Sequence, residues 1–170
     1  MSGAEDEVDD LVLAWRRERP DLDTSPMQVL SRVDRLARHV DRARAAAFSR
    51  HGLEGWEFDV LAALRRSGEP YRASPSALVR ATGVTSGTMT NRVDRLVARG
   101  LVRRDSDPDD RRSVRVELTP EGRATVDGAL VGLLDAEHEL LAGLDGPART
   151  GLADGLRRLL ASYADRPEST

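Results

Sequence analysis

Thr88, Asn91 and Arg95 follow one another at spacings of three and four residues, which on a helix lines them along one face as a row of hydrogen-bond donors. Hydroxyl, amide and guanidinium groups in such a row suit nucleic acid, since they reach base edges in the major groove and the phosphates beside it. Ser86 and Thr90 join them in the set expected to face DNA. The other side of the same stretch carries Met89, Val93, Leu96 and Val97 at i, i+4, i+7 and i+8, an apolar stripe for a core. Between Thr85 and Arg104 there are five arginines and one acid. Taken alone, a helix with arginines on one side is an ordinary solvated surface. The flanking elements decide for DNA.

Ser74-Pro75 announces a first helix, with an N-cap hydroxyl followed by proline where its missing N–H costs nothing. Gly83 ends it, and Val84-Thr85-Ser86 turns the chain into the second helix, which runs to about Arg99 and stops at Gly100 as a left-handed cap. Leu101 to Arg104 and Val114 to Leu118 then alternate as strands. Between them Asp105 to Ser113 is turn-rich and carries Arg111 and Arg112 near its end. Helix, tight turn, reading helix and basic-tipped hairpin together predict a winged helix-turn-helix, a mainly α fold with a small β-wing. Phosphate contacts supply most of the affinity in such a module, and side chains on the helix read bases.

Leu96 to Arg104, then Asp107-Pro108-Asp109-Asp110-Arg111-Arg112, then Val116 to Gly122 resemble the MarR family of bacterial transcription regulators. The pattern is a wing acid and arginine followed by Leu-Thr and, three residues on, glycine. The resemblance extends from about Met27 to Ala161. It implies a homodimer on a palindromic operator and a small effector that changes DNA affinity. It also implies Arg112 as the wing arginine in the minor groove, with Asp110 holding it in place.

Composition bounds the remaining options. The chain has 170 residues, 39% of them hydrophobic and 32% charged, which fits one helical domain with a modest core. The formal net charge is −3, but Glu5, Asp6, Glu7, Asp9 and Asp10 concentrate acid at the amino end, and the remainder is mildly basic. No apolar stretch is long enough to span a bilayer, and the start lacks the basic and apolar parts of a signal peptide. The expectation is a cytoplasmic protein, nucleoid-associated when bound to DNA. With no cysteine there is no disulfide framework, no thiolate metal site and no cysteine-based oxidant sensing. His39, His51 and His138 are too dispersed for a metal centre. Neither a nucleophile beside a base nor a phosphate-cradling glycine loop is present, so no enzyme activity and no cofactor are expected.

The other segments read as helices. Glu5 to Arg19 is amphipathic through Val8, Leu11, Val12 and Trp15, and Pro20 to Pro26 is a linker. A long helix over Met27 to Ser49 turns Val29, Leu30, Val33, Leu36, Ala37 and Val40 toward a core. A helix from Glu54 to Ser67 directs Trp56, Val60, Ala63 and Leu64 inward. Two terminal helices, Thr119 to Leu144 and Pro147 to Ala164, carry more leucine than one small core absorbs, which points to pairing with a second subunit. The expected organisation is residues 1–25 as an added helix and linker, 26–53 and 119–165 as the dimerisation region, 54–118 as the DNA-binding module and 166–170 as a flexible tail.

The added amino-terminal helix resembles that of the urate-responsive subgroup of the family. The resemblance implies effector contacts from Trp15 in that helix, Asp59 and Arg66 in a core helix, and Arg92 in the reading helix. Physical chemistry is consistent with this set. Asp59 and Arg66 lie seven residues apart, two helical turns, on one face with Ala62 and Ala63 between. Arg92 falls at the edge of the apolar stripe and can reach back into the protein. Two guanidinium groups and a carboxylate suit a flat anion that also has N–H donors, and an indole can stack on it. Plainer roles stay open: Trp15 as core packing, Asp59 and Arg66 as an ion pair, Arg92 as a phosphate contact. The reading is a repressor released from its operator by an anion such as urate, which draws Arg92 inward by disturbing a contact with Asp59. The alternatives are another effector, a carboxylate or phenolic anion, or a helical dimer binding an acidic protein.

Overall fold

The computed structural model describes residues 5–106 and 114–164. Its elements are α1 (Glu7–Glu18), α2 (Ser25–Ser49), α3 (Gly55–Arg66), β1 (Arg72–Ala73), α4 (Pro75–Thr82), α5 (Ser86–Ala98), β2 (Val102–Ser106), β3 (Val114–Leu118), α6 (Pro120–Leu140) and α7 (Gly146–Ala164). The three strands form an antiparallel sheet in the order β1-β3-β2, with Val102 opposite Leu118 and Arg72 opposite Glu117. This is a winged helix-turn-helix with helices before and after it. Asp107 to Ser113, including Asp110, Arg111 and Arg112, lie outside the described residues, as does the expected 166–170 tail.

Local chemistry sets the boundaries around the reading helix. Ser74 Oγ accepts from the Ala77 N–H at 3.2 Å, and Gly83 closes α4 at φ +67°. Thr85 Oγ1 accepts from the Thr88 N–H at 3.3 Å to open α5. The Thr119-Pro120-Glu121-Gly122 run has a similar logic with one addition. Thr119 Oγ1 accepts from the Gly122 N–H at 3.0 Å and donates to the Gly100 carbonyl at 2.7 Å, so it caps α6 and anchors it to the end of the reading helix. A Cβ at Gly122 would stand 1.9 Å from the Leu101 carbonyl oxygen, and only glycine fits that approach.

The core lies where α3, α4, α5, α6 and the sheet meet. It is built from Val60, Leu61, Leu64, Leu78, Met89, Val93, Leu96, Val116, Val126 and Ala129, all buried, and is flanked by the stacked rings of Phe48 and Phe58, 4.2 Å between centroids. Val97 does not belong to it: the last residue of the expected stripe is exposed. The expectation for α2 is corrected more widely. Val29, Leu30, Val33, Leu36 and Ala37 are exposed and Val40 is only partly covered, while α1 packs on α2. Buried Val8 and Val12 make that contact, and Arg32 and Arg35 fasten it through Asp6, Asp9 and Glu7 at 2.6–2.9 Å. The leucines of α7, including Leu152, Leu156, Leu159 and Leu160, are also exposed.

Candidate nucleic-acid interface and effector cleft

Helix α5 presents Ser86, Thr88, Thr90, Asn91 and Arg95 on its exposed side, as its periodicity requires, while Met89, Val93 and Leu96 hold the other side against the core. Its arginines are not loose. Arg95 Nη2 donates to Glu54 Oε1 at 3.0 Å and its guanidinium lies 4.6 Å over the Trp56 ring. Arg92 lies 5.5 Å over the same ring. Arg99 Nη1 donates to Glu57 at 2.6 Å, and Arg99 Nη2 donates to the Gly52 carbonyl at 2.9 Å. Beyond the helix, Arg103 pairs with Glu117 and Asp105, and Arg104 with Asp94. The five arginines counted between Thr85 and Arg104 are thus each engaged by the fold, and the row open to a ligand is Thr88, Asn91 and the free edge of Arg95.

Three residues at the start of α3 matter here: Glu54 and Glu57, whose roles escaped the sequence reading, and Trp56, which that reading assigned to the core alone. Trp56 is partly buried against the edge of the core and serves as the surface on which α5 arginines rest. Glu57 is 2% exposed; it accepts from the Glu54 N–H at 2.9 Å as well as from Arg99, so one carboxylate caps α3 and ties it to the end of α5. The Trp56 indole N–H, and after it Arg95, holds the Glu54 carboxyl below the usual carboxylate range. A signal was available: two acids three apart in Glu54 and Glu57 mirror two arginines four apart in Arg95 and Arg99, the spacing of a helix-to-helix ladder.

A separate cleft of about 530 Å³ opens between α2, α3 and α6. Phe48, Phe58, Val126 and Leu133 give it apolar walls, and Asp41, Arg44, Asp59, Arg65, Arg66 and Asp127 give it charge. Arg44 is paired with Glu137 at 3.0 Å and Arg65 with Asp127 at 2.8 Å, the latter contact raising the Arg65 pKa. Asp59 and Arg66 stand on this wall together, and among the described residues neither has an ion-pair partner. The other two expected effector residues are elsewhere. Trp15 is 46% exposed on α1, away from the cleft wall, and Arg92 rests on Trp56 one turn before Asp59. The expected contact between Arg92 and Asp59 is not formed; the indole face takes the guanidinium instead.

A helix-turn-helix with a hairpin wing and a cleft behind it is shared by many regulators, so comparison with known proteins is decisive. Residues 51–113 match the model of the MarR family. The HTH-type transcriptional regulator PecS of Dickeya dadantii is 41% identical over 153 residues, 90% of this chain and 92% of that protein. The chain belongs to the MarR family. Among solved structures of the family, Bordetella bronchiseptica BpsR is 32% identical over 75% of this chain and 98% of its own, with a TM-score of 0.58; that structure concerns regulation of its DNA binding by 6-hydroxynicotinic acid. A cysteine-to-serine mutant of MarR from E. coli, complexed with operator DNA, is 27% identical over 82% of this chain and 99% of its own, with a TM-score of 0.66. The match to MarR-family proteins extends well beyond the wing, through the helices on both sides of the DNA-binding module. Among the described residues no helix is long and apolar enough to cross a membrane, and no group of acids and histidines could hold a metal ion.

Proposed function

We propose that this MarR-family regulator is a repressor that binds a palindromic operator as a homodimer and is released by a small aromatic anion held in the cleft between α2, α3 and α6. The observation that carries the effector half is the pairing of Asp59 and Arg66 on one wall of that cleft, neither with an ion-pair partner among the described residues, beside phenylalanine and leucine side chains. An unpartnered guanidinium takes an anionic oxygen, the carboxylate accepts from ligand N–H groups, and the aromatic side chains take a flat ring. Urate has all three features. The exposed leucines of α7 and the bare stripe of α2 support dimerisation, since apolar surface of that extent is rarely left to water. Thr88, Asn91 and Arg95 read the major groove in this proposal, with Ser86 and Thr90 near phosphates and Arg111 and Arg112 on the wing.

A second effector class, an aromatic carboxylate, is favoured by the cleft's three arginines and by BpsR, whose DNA binding is regulated by 6-hydroxynicotinic acid. Calorimetric titration with urate and, in parallel, with 6-hydroxynicotinate tests both. Saturable heat near one ligand per subunit, lost in Arg66→Ala, supports the cleft and names the better anion. Heat that persists unchanged in Arg66→Ala places the ligand elsewhere and overturns the assignment. Trp15→Phe and Arg92→Ala in the same titration report whether those residues join the ligand. Arg92→Ala should impair release from operator by the effector more than it impairs operator binding, and the reverse would return Arg92 to a phosphate role.

A further inference from the structure

Thr88, Asn91, Arg92 and Arg95 share one shallow depression with Glu54 and Trp56, so the exposed row of the reading helix and the start of α3 form a single surface. The indole is its floor. Two guanidinium groups lie over that ring, at 4.6 and 5.5 Å. Glu54 clamps the arrangement from the side: it accepts from the indole N–H at 2.8 Å through one oxygen and from Arg95 at 3.0 Å through the other.

We infer that Trp56 is a positioning residue for DNA recognition, a rigid platform that holds Arg95 in reading geometry with Arg92 stacked beside it, and that Glu54 sets discrimination by screening Arg95 from nonspecific phosphates. A free arginine has many rotamers, and fixing it on contact with DNA carries an entropic cost. Stacking on an indole removes much of that freedom beforehand while leaving the in-plane N–H edge free, and that edge is what pairs with a guanine or a phosphate. Glu54 occupies Nη2 of Arg95 and leaves Nη1 and Nε available. It also puts a negative charge beside the contact surface. That charge repels any backbone that approaches without the hydrogen bonds of a matched site, which is discrimination by disfavouring the wrong partner.

The inference rests on the DNA-reading assignment, and the experiment separates the two. The probes are a palindromic duplex enriched by the wild-type protein from a randomised pool, and a scrambled duplex of equal composition, each titrated by fluorescence anisotropy at several salt concentrations. Wild-type protein that does not prefer the enriched duplex would refute the DNA reading itself. Given that preference, Trp56→Ala should lose about fivefold to tenfold on the enriched duplex, the size that ordering one rotamer-rich side chain on binding can cost, and less than about twofold on the scrambled one. Trp56→Phe keeps a face for the guanidinium groups and should stay within about threefold of wild type on both. Glu54→Gln keeps an acceptor for the indole, so it should gain affinity for the scrambled duplex by about twofold to threefold and thereby lower the ratio between the two. Should Trp56→Ala misfold, Trp56→Phe and Glu54→Gln still decide the matter. Equal losses on both duplexes, Trp56→Phe no better than Trp56→Ala, or an unchanged ratio in Glu54→Gln would overturn the assignment.

Discussion

Glu57 and Arg99 join the start of α3 to the end of the reading helix, and the two partners differ in burial: the carboxylate is 2% exposed and the guanidinium side chain 39%. That asymmetry makes the two single substitutions unequal. Arg99→Ala leaves a carboxylate in the interior with the Glu54 N–H as its remaining donor. Breaking a fully buried pair from one side costs about 3–5 kcal/mol, and the partial exposure of Arg99 lets water reach the vacated place, which reduces the figure to about 2–3 kcal/mol. Glu57→Gln keeps an oxygen for the Glu54 N–H, and Arg99 keeps the Gly52 carbonyl and solvent; the expected loss is about 1 kcal/mol. For a chain of this length those values correspond to a fall in Tm of about 5–10 °C against about 2–4 °C. The double variant is the sharper test. Removing the stranded charge as well should restore stability, so Arg99→Ala with Glu57→Gln should melt above Arg99→Ala alone. Differential scanning calorimetry at one protein concentration reads all four proteins, since self-association shifts Tm with concentration. A double variant whose losses simply add, or Glu57→Gln as damaging as Arg99→Ala, would refute the account.

Gly122→Ala drives a methyl group to 1.9 Å from the Leu101 carbonyl oxygen, so it should cost about 3 kcal/mol and lower Tm in a thermal melt; a melt within 1–2 °C of wild type would show that the wing and α6 separate freely. Hydrogen bonds from Arg32 hold the Asp6 carboxyl below its ordinary value, and the backbone N–H of Asp6 followed by Arg32 does the same for Asp9. A depressed carboxylate contributes stability that is present above its unfolded pKa and lost as pH falls through the folded one, so α1 should loosen from α2 only below about pH 4. Intrinsic-rate-corrected amide exchange at Val8 and Val12, protected at pH 6 and lost near pH 3 ahead of the α5 amides, checks this. Leu156→Glu places a charge on the exposed leucine face of α7 and should halve the sedimenting mass if that face joins two subunits; an unchanged mass would move the interface elsewhere.

Features that depend on a few neighbouring residues were legible in the sequence. Ser74, Gly83, Thr85, Gly100 and Thr119 each act through a hydrogen bond or a φ value within four residues of themselves, and each ends or begins an element as its type dictates. Strand β1 was missed because two residues, Arg72 and Ala73, carry no periodicity, and it exists only through pairing with Glu117 and Val116 far along the chain. The stripe of α2 was read correctly as apolar but assigned the wrong cover, since a pattern reports that a face is to be buried and not by what. Arginine counting failed for a related reason. Charge near a reading helix is visible in the chain, whereas its engagement by Glu54, Glu57, Asp94 and Glu117 depends on packing between elements. Asp59 and Arg66 were placed together because both belong to one helix. Trp15 and Arg92, on other elements, had no such guarantee.

In the proposed function helix α3 serves both the cleft and the reading helix, and that gives the proposed effector a route to the DNA surface. Its first turn holds Arg92, Arg95 and Arg99 of α5 through Glu54, Trp56 and Glu57, while Asp59, Ala62 and Arg66 further along line the cleft. Twelve residues of helix span about 18 Å and do not bend readily when Val60, Leu61 and Leu64 are fully buried between them. An anion drawn between Asp59 and Arg66 therefore acts on a lever whose other end is the arginine platform. A small tilt of α3 would be transmitted to the reading geometry of Arg95 with little need to deform the core. The cleft is also linked to the sheet, because Asp127 lines it and pairs with Arg65, and the Arg65 and Arg123 guanidinium groups flank the Tyr71 ring at 4.7 and 4.8 Å, just ahead of β1, which pairs with β3. A ligand that binds the two tilts of α3 with equal affinity would release nothing, however tightly it bound. Effector strength should accordingly follow how well an anion bridges Asp59 and Arg66, not how many contacts it makes with the apolar walls. A series of ring-matched anions differing only in their N–H donors, compared for binding heat and for operator release, would separate those two quantities.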